Sequence, residues 1–463
     1  AAMRRAIMDA VPTCAASEHD ETLIGINSPT LVLGVLDTQE TAALPYLDTL
    51  GDEAEFQALG VGAGPQPDQE LLVGRDAERE WLWQGVRSVA RGEGPRLLCL
   101  GAQHGMGRRR LVAWLRSRVR EDGRMQVLTL GRRTNAGEEY GGLRGLLNGL
   151  IGVASEDAEV HVGQLQSSVE RWAQAAGQRA SSLSLSEADI QQAARFAAPD
   201  VEASIDSGKE ATEADLLIAK LVALSCLERP TILTVGGLER TGPGIVGFLV
   251  ELSQLAGRLQ LPLLLVVSYI DDPDNVVIGD AVARLVETSA VAVERRSLAP
   301  FGGDAMRALL RRLAPLERTV EEAVAQRTEG NPFFATELIH LLVHQEELEE
   351  RDGRLHLAGH ADPSSWPTSL AETVRLRSLA TLGRMPDGDF IQSVLKAASI
   401  LGEAFDYDVL HDYLEKLFGD AARVERAIEG LVEANLLQEP AAGRGDRLHF
   451  VHPVVRTSML ELT

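Results

Sequence analysis

Apolar and polar positions alternate in two ways between residues 71 and 300. Short continuous apolar runs, which are typical of strands buried on both faces of a sheet, are separated by stretches with apolar residues three and four positions apart, which is typical of amphipathic helices. The apolar runs span residues 97–100, 125–130, 231–235, 263–267 and 290–293. Strands that alternate with helices in this way predict a parallel α/β sheet.

The pattern changes at Pro300, after which the sequence predicts helices instead of strands. The first predicted helices span residues 304–313, 320–327 and 332–345, and a turn at 351–360 and a proline-containing linker at 362–367 follow. Further helices are predicted at 370–382, 392–401, 407–417 and 424–433, and two strands of a hairpin at 435–439 and 447–451. Helices that end in a β-hairpin predict a winged helix.

The start of the regular pattern lies at Leu71, where a short strand is predicted, followed by a helix with apolar positions at Leu82, Val86 and Val89. Two further helical stretches are predicted at 140–151 and 169–227. The predicted organisation is an unassigned N-terminal segment with a linker (1–70), an α/β domain (71–298), an all-α lid domain (299–361) and a winged-helix domain (362–463).

Charge and cysteine content restrict the partners and the compartment. The 463 residues include 45 basic and 68 acidic side chains, a net charge of −23, which disfavours binding to nucleic acid and to anionic membranes. The three cysteines, Cys14, Cys99 and Cys226, are far apart, so we expect buried thiols and no disulfide or zinc site. No apolar run could span a bilayer and no signal peptide is evident, so we expect a cytoplasmic protein.

The most informative stretch, residues 97–115, predicts a buried strand, a glycine-rich turn and an amphipathic helix. This is the layout of a P-loop, in which backbone N–H groups and a helix N-terminus surround a phosphate group. The usual pattern is G-x-x-x-x-G-K-[ST]. Gly107 keeps the second glycine, but Ala102 replaces the first, Arg108 the lysine and Arg109 the hydroxyl residue.

These landmarks together resemble the STAND class of P-loop NTPases, which are AAA-like proteins found in bacterial signal-integrating regulators and, as NB-ARC modules, in eukaryotic immune receptors. The resemblance covers residues 70 to 460. Five short matches in the expected order carry it: VGRDAERE (73–80), the P-loop-like turn, TILTVGGLERTGPG (231–244), EGNPFF (329–334) and FVHPVVR (450–456). The implied fold is a P-loop NTPase-like parallel sheet domain followed by an all-α lid and a winged helix.

The resemblance also implies a binding site for ADP or ATP. The residues it assigns to this site are Val73, Gly74, Arg75, Gly105, Met106, Gly107, Arg108, Arg109, Arg110, Gly330, Asn331, Pro332 and His452. Each group also has a purely structural reading. The arginines could be solvated, the Gly-Asn-Pro element could be an ordinary helix start, and His452 could be a packed hairpin residue.

The departures from the family pattern concern catalysis. Arg109 cannot ligate Mg²⁺, and the acidic residues expected after the third strand fall on Gly236, Gly237 and Gly242. Glu239 lies nearby, and as a surviving catalytic base it is the weakest of the alternatives. Loss of one such group commonly costs ~10²–10⁴ in rate. We therefore predict a pseudo-NTPase with no catalytic residues and no metal.

The predicted function is a regulatory or scaffolding subunit that binds protein partners, with ADP or ATP held between its domains. Family members usually continue into a helical-repeat sensor and this sequence ends at Thr463, so the sensor is either a separate protein or has been lost. Both alternatives favour a component of a larger assembly, and we expect a separate sensor or effector protein as the partner. Three alternatives remain open: an active ATP-dependent switch using Arg108, a winged-helix transcriptional regulator, and an adaptor function carried by residues 1–70.

Overall fold

A computed structural model defines most of the chain beyond the N-terminal segment. The described residues are 72–130, 141–151, 158–183, 185–197, 209–241, 244–272, 275–402, 404–434, 436–438, 447–451 and 453–460. The predicted N-terminal segment (1–70), Cys14, Gly242 and His452 lie outside these ranges.

The first domain is built on five parallel strands in the order β2-β3-β4-β1-β5. Their bounds are β1 Arg96–Ala102, β2 Gln126–Leu130, β3 Thr231–Gly236, β4 Leu263–Ile270 and β5 Ala292–Ser297. Strands β1, β3 and β4 are buried over nearly their whole length, which explains why the sequence shows them as continuous apolar runs. The predicted parallel α/β sheet is confirmed.

Helices cover both faces of this sheet. They are α1 Asp76–Ala90, α2 Arg108–Asp122, α3 Gly141–Ile151, α4 Ala158–Ala176, α5 Glu187–Ala197, α6 Lys209–Glu228, α7 Leu238–Thr241, α8 Gly244–Leu259 and α9 Val276–Thr288, with a 3-10 helix at Gly177–Leu183. Successive residues of β1 enter different cores. Leu97 belongs to a cluster with Trp172 and Phe248, whereas Leu98 belongs to one with Trp81 and Leu111. This alternation is the two-residue period of a strand.

One expectation for this domain is wrong. No strand follows Leu71, because the described residues 72–75 form an irregular segment. Gly74 and Arg75 have φ values of 66° and 65°, in the left-handed region, and two such residues in succession cannot continue an extended strand. Helix α1 starts directly afterwards.

The lid domain contains three helices and a hairpin that the sequence analysis did not predict. Its elements are α10 Gly303–Leu313, α11 Arg318–Thr328, α12 Pro332–His344, β6 Leu348–Arg351 and β7 Arg354–Leu357. The antiparallel pair β6-β7 replaces most of the predicted turn at 351–360. Leu348 and Leu355 pack the hairpin against the lid core. The other positions of the two strands are mostly charged, so the sequence shows no strand pattern there.

The last domain is a winged helix. Its elements are α13 Leu370–Leu382, α14 Gly388–Leu401, β8 Ala404–Asp406, α15 Tyr407–Phe418, α16 Ala421–Glu433, β9 Leu437–Gln438, β10 Arg447–Phe450 and α17 Pro453–Leu460, with a 3-10 turn at Pro363–Ser365 before them. The small sheet has the order β8-β10-β9. The predicted fold class is thus confirmed, with β8 and α17 as additions.

Helices α12 and α13 join the lid to the winged helix and lie parallel. Glu337 Oε2 lies 2.6 Å from Arg377 Nε, and His344 Nδ1 lies 3.2 Å from Arg384 Nη1. Both pairs join residues 40 positions apart, as in a parallel arrangement, and Arg384 lies two residues beyond the end of α13. The Glu337 and Arg377 side chains are only 4% and 9% exposed, which makes this a buried ion pair.

Two further expectations can be compared with the structure. Cys99 and Cys226 are buried free thiols, and burial raises the pKa of these groups to about 11 and about 12. Within the described part of the chain, no helix combines the length and apolar character needed to cross a bilayer.

Candidate functional site

The P-loop-like turn lies between the end of β1 and the start of α2. Gly105 and Gly107 have φ values of 81° and 85°, which favour glycine. Gly107 is the N-cap residue of α2, and no side chain caps the helix there. A helix N-terminus that lacks a side-chain cap offers backbone N–H groups and a positive dipole end to an anion.

Arg108, the first residue of α2, takes the position of the P-loop lysine. Its Nη2 atom lies 2.5 Å from Glu239 Oε1, and the two side chains are 9% and 12% exposed. Its Nη1 atom is buried and has no hydrogen-bond partner among the residues that the structure describes. A buried guanidinium nitrogen without an acceptor is costly, and an anion at this turn would satisfy it.

Glu239 connects the turn to the neighbouring strands. It lies on α7, just after β3, and its Oε2 atom accepts a hydrogen bond of 3.2 Å from the backbone N–H of Ile270 at the end of β4. One carboxylate therefore joins the ends of β3 and β4 to the start of α2. As an anion near the N-terminus of α2, it also interacts favourably with the helix dipole.

Two of the positions at which the family pattern places acidic residues are glycines at the end of β3. Gly236 is the last residue of β3 and pairs with Ser268 of β4. Gly237 has a φ of 102°, a conformation that a residue with a side chain adopts only with strain. The chain therefore offers no carboxylate at these two positions to hold a metal ion.

Arg75 links the turn to the lid. Its guanidinium donates to the carbonyl oxygens of Ala299 at 2.7 Å and Met106 at 3.2 Å, and it lies 4.6 Å from the ring centroid of Phe301. Burial lowers its pKa, an effect that Glu78 opposes. Arg75 of the VGRDAERE match and Met106 of the P-loop-like turn are thus in direct contact.

The segment before Arg75 also reaches the lid. Val73 packs against the lid core, and a Cβ on Gly74 would lie 3.4 Å from Ala305 Cβ. Both residues therefore have a packing role that is independent of any ligand.

The Gly-Asn-Pro element contacts the same turn from the lid side. The Asn331 side-chain oxygen caps α12 by accepting from the N–H groups of Phe333 and Phe334, both at 3.1 Å. Its Nδ2 atom donates to the carbonyl oxygen of His104 at 2.9 Å. The N–H group of Phe333 also points to the Gly105 carbonyl oxygen, at 3.3 Å. The predicted helix start and the predicted P-loop therefore form one hydrogen-bonded unit.

The remaining predicted residues have simpler places. Met106 is buried in the core beneath α1 and α2, Arg109 and Arg110 are partly exposed on the first turn of α2, and Pro332 occupies the first turn of α12. Gly330 has a φ of 80°, and a Cβ there would lie 2.6 Å from the Phe301 carbonyl oxygen. All predicted site residues except His452 are therefore described. Arg75, Asn331 and Phe333 form a P-loop contact network with the backbone of the turn, and Arg108 pairs with Glu239 beside it.

The sequence analysis missed the pairing of Glu239 with Arg108 and the role of Phe333. Glu239 lies 131 positions from Arg108, and the only signal in the sequence was an acidic residue just beyond the third strand. In the described part of the chain, His411, Asp412 and Glu415 also lie close enough to share a metal ion. They are an acidic surface group on α15, to which we assign no function.

Comparisons with known proteins concern the fold alone. No protein-family model and no curated protein matches the chain. Among solved structures, it is similar to the Aeropyrum pernix ORC1 protein in complex with DNA (16% identity, 86% of this chain and 94% of that chain, TM-score 0.39). It is also similar to Cdc6p from Pyrobaculum aerophilum (12% identity, 89% and 98%, TM-score 0.37).

A third similar structure is the Aeropyrum pernix ORC2 protein in ADPNP-ADP complexes (13% identity, 85% and 95%, TM-score 0.34). The narrower STAND assignment stays a prediction.

Proposed function

We propose that this protein is a non-hydrolysing P-loop module, which binds a phosphate-bearing ligand such as ADP or ATP and serves as a regulatory or scaffolding subunit. The observation that carries the proposal is the buried Arg108 guanidinium at the start of α2, with one nitrogen paired to Glu239 and another that has no partner in the described part of the chain. The proposed ligand supplies the missing acceptor.

The binding half of the proposal is supported by the shape of the turn. Among the described residues, nothing lies within 4 Å of a Cβ placed on Gly107, and no side chain caps the start of α2. Arg108 presents a planar guanidinium, which binds phosphate oxygens with defined geometry. The competing interpretation is that Arg108 and Glu239 form a staple and that no ligand binds.

The proposal that the protein does not hydrolyse ATP rests on the groups that phosphoryl transfer requires. Hydrolysis needs a hydroxyl and a carboxylate to hold Mg²⁺, and a group to orient the attacking water. Arg109, Gly236 and Gly237 cannot supply them. Glu239 pairs with Arg108 and with the Ile270 N–H group, an arrangement that disfavours a role as general base.

The proposed regulatory role rests on the contacts between the turn and the lid. Arg75, Asn331 and Phe333 bind the backbone of the turn directly, and they belong to the junction with the lid. A ligand that binds only this folded arrangement stabilises it by RT ln(1 + [L]/Kd). The ligand would then strengthen the association of the α/β domain with the lid and the winged helix, whose surfaces we propose contact protein partners.

Nucleic acid is not the partner that we propose. Residues 369–463 contain 10 basic and 15 acidic residues, a net charge of −5. Helix α16, which follows α15 as the recognition helix of a winged helix would, carries two arginines and three glutamates. Phosphate-backbone binding requires the opposite sign.

The test is thermal denaturation with ADP and with ATP, each with and without Mg²⁺, together with extraction of any co-purified nucleotide. We expect a rise in Tm of several degrees that does not require Mg²⁺ and that is lost in Arg108→Ala. Arg118→Ala is the matched control, because Arg118 lies on the same helix and its side chain is 35% exposed. If neither nucleotide shifts the Tm and none is extracted, the staple interpretation is correct.

Arg108→Lys tests whether ATP hydrolysis is absent, because this variant restores the usual P-loop lysine. We expect no Mg²⁺-dependent ATP turnover in this variant or in the natural sequence, since neither restores the metal ligands. Turnover by the natural sequence that is lost in Arg108→Ala would instead establish the active switch.

A further inference from the structure

Helix α15 displays an apolar stripe that the winged-helix core does not use. Val409, Tyr413 and Leu417 are 54%, 54% and 59% exposed, and their spacing of four residues places them on one face of the helix. Leu410 and Leu414 of the same helix are fully buried. The helix is therefore apolar on two adjacent faces, of which the core covers one.

The stripe lies on a well-anchored element. The Asp406 side chain caps the start of α15 by accepting from the Asp408 N–H group, and Gly419 ends the helix in the left-handed conformation. Leu410 and Leu414 fix its rotation against the core. A row of exposed apolar side chains that is already ordered loses little entropy when a partner covers it.

The surroundings of the stripe are acidic. Residues 406–420 contain five acidic residues and one lysine, a net charge of −4. Asp408 and Asp412 are exposed and lie one helical turn apart, on the side of α15 that faces away from the core. Burial and then the neighbouring Glu425, Glu429 and Asp408 raise the pKa of Tyr407, which shows that acidic residues of α16 also crowd the start of α15.

The negative charge around the stripe restricts which kind of partner can bind there. A second copy of the chain would bring two acidic segments together, and a nucleic acid or an anionic membrane would be repelled. An amphipathic helix matches the geometry of a single apolar stripe. Lysine or arginine on its flank would pair with Asp408 and Asp412.

We propose that the α15 stripe docks an amphipathic, basic α-helix of a partner protein, with its apolar face on Val409, Tyr413 and Leu417. This inference deepens the proposed regulatory function, because it assigns the protein-binding half of that function to one surface. The site is separate in sequence from the P-loop contact network, so the two can be tested independently.

The test uses two labelled model peptides, a leucine/lysine amphipathic helix and a leucine/glutamate helix with the same apolar face. Their binding to the full chain is measured by fluorescence anisotropy at low and at physiological salt. We expect the lysine peptide to bind at least tenfold more tightly than the glutamate peptide. Val409→Ser with Leu417→Ser should weaken lysine-peptide binding at least tenfold, and Asp408→Asn with Asp412→Asn should remove most of its salt dependence.

The matched control is Val276→Ser with Val277→Ser, which removes two other exposed apolar side chains, 65% and 74% exposed on α9, without changing the net charge. It should alter binding less than twofold. Equal loss in both double variants would overturn the proposal, and so would a concentration-dependent dimer that the α15 variant abolishes. The ADP-induced Tm shift is measured on the same variants. Failure of the natural sequence to bind the lysine peptide, with an intact ADP shift, refutes only the docking surface, whereas peptide binding without an ADP shift refutes only the nucleotide site.

Discussion

The two terminal nitrogens of Arg108 lie in different environments, since Nη2 contacts Glu239 and Nη1 is buried with no partner within the described ranges. A buried cation that loses its counterion costs on the order of 3–5 kcal/mol. Glu239 therefore stabilises the ligand-free protein, but its negative charge also opposes the approach of an anion to the same guanidinium.

This arrangement predicts the behaviour of Glu239→Gln. We expect the variant to lose about 2–4 kcal/mol of unfolding free energy and to show a larger rise in Tm with inorganic pyrophosphate than the natural sequence, because the anion no longer competes with a carboxylate. Chemical denaturation and thermal shift measure the two effects. Glu121→Gln, which alters a 53% exposed partner of Arg118 on the same helix, should change stability by less than about 1 kcal/mol.

The sequence predicted which residues form the turn, but not all of the partners that they contact. Local chemistry identified the turn, the replacement of lysine by Arg108 and the glycines at 236 and 237. The sequence around Arg108 does not reveal its acceptor, because Glu239 comes close to it only when β3 packs in the sheet with β4 and β1. Likewise, Asn331 predicted a helix cap, but its second contact, with His104, requires the folded lid.

At the scale of elements, the contact between the P-loop-like turn and α12 predicts different outcomes for two neighbouring glycines. Both Gly105→Ala and Gly107→Ala place a Cβ at positive φ, which costs about 1–2 kcal/mol. At Gly105 the new Cβ would also lie 2.5 Å from Asn331 Oδ1, whereas at Gly107 nothing lies within 4 Å. We expect Gly105→Ala to be destabilised by at least about 1 kcal/mol more, because the α12 cap must move.

Equilibrium denaturation of the two glycine variants checks this difference. Equal destabilisation would mean that the turn and α12 are not coupled, and would weaken the regulatory half of the proposed function.

The parallel pair α12 and α13 gives a second prediction at this scale. Glu337→Gln leaves the Arg377 cation buried without a counterion and should cost about 3–5 kcal/mol. Glu322→Gln, which breaks the pair with Arg318 at 60% and 83% exposure, should cost less than about 1 kcal/mol. A similar small cost for both variants, measured by urea denaturation, would show that water reaches the α12–α13 contact.

The strands that are buried on both faces of the sheet were predicted most accurately from the sequence, because they appear as continuous apolar runs. The runs at 97–100 and 263–267 became β1 and β4, and the helix at 370–382 was correct at both ends. Strand β8 is only three residues long and β6-β7 is rich in charge, so neither shows a strand pattern. The domain limits at 298 and 361 stay predictions.

At the scale of the whole molecule, His340 connects stability to pH. Burial, followed by the Arg377 cation, lowers its pKa to about 4; Glu337 and His344 are the other charged or titratable groups of α12 near it. The unfolded chain binds a proton near pH 6.5 whereas the folded chain does not. Stability from this residue is therefore fully present above pH 6.5 and falls as the pH is lowered toward 4.

His340→Gln tests this linkage. The decrease in unfolding free energy between pH 6.5 and 4 should be smaller in the variant by up to about 3 kcal/mol, at about 1.4 kcal/mol per pKa unit. His360→Gln, at an exposed position, should retain the full decrease. If the His340 variant loses stability as steeply as the natural sequence, the imidazole is not shielded from protons in the folded state.

Two adjacent phenylalanines at the start of α12 enter different cores, Phe333 that of the winged helix and Phe334 that of the lid. Opening either core would disturb the same helical turn, so the two cores should not open one without the other. In native-state hydrogen exchange, the slowest amides of α12 and α13 should therefore share one opening free energy and behave as one foldon. The lid and the winged helix would then respond as one body to anything that binds at the turn around Gly105.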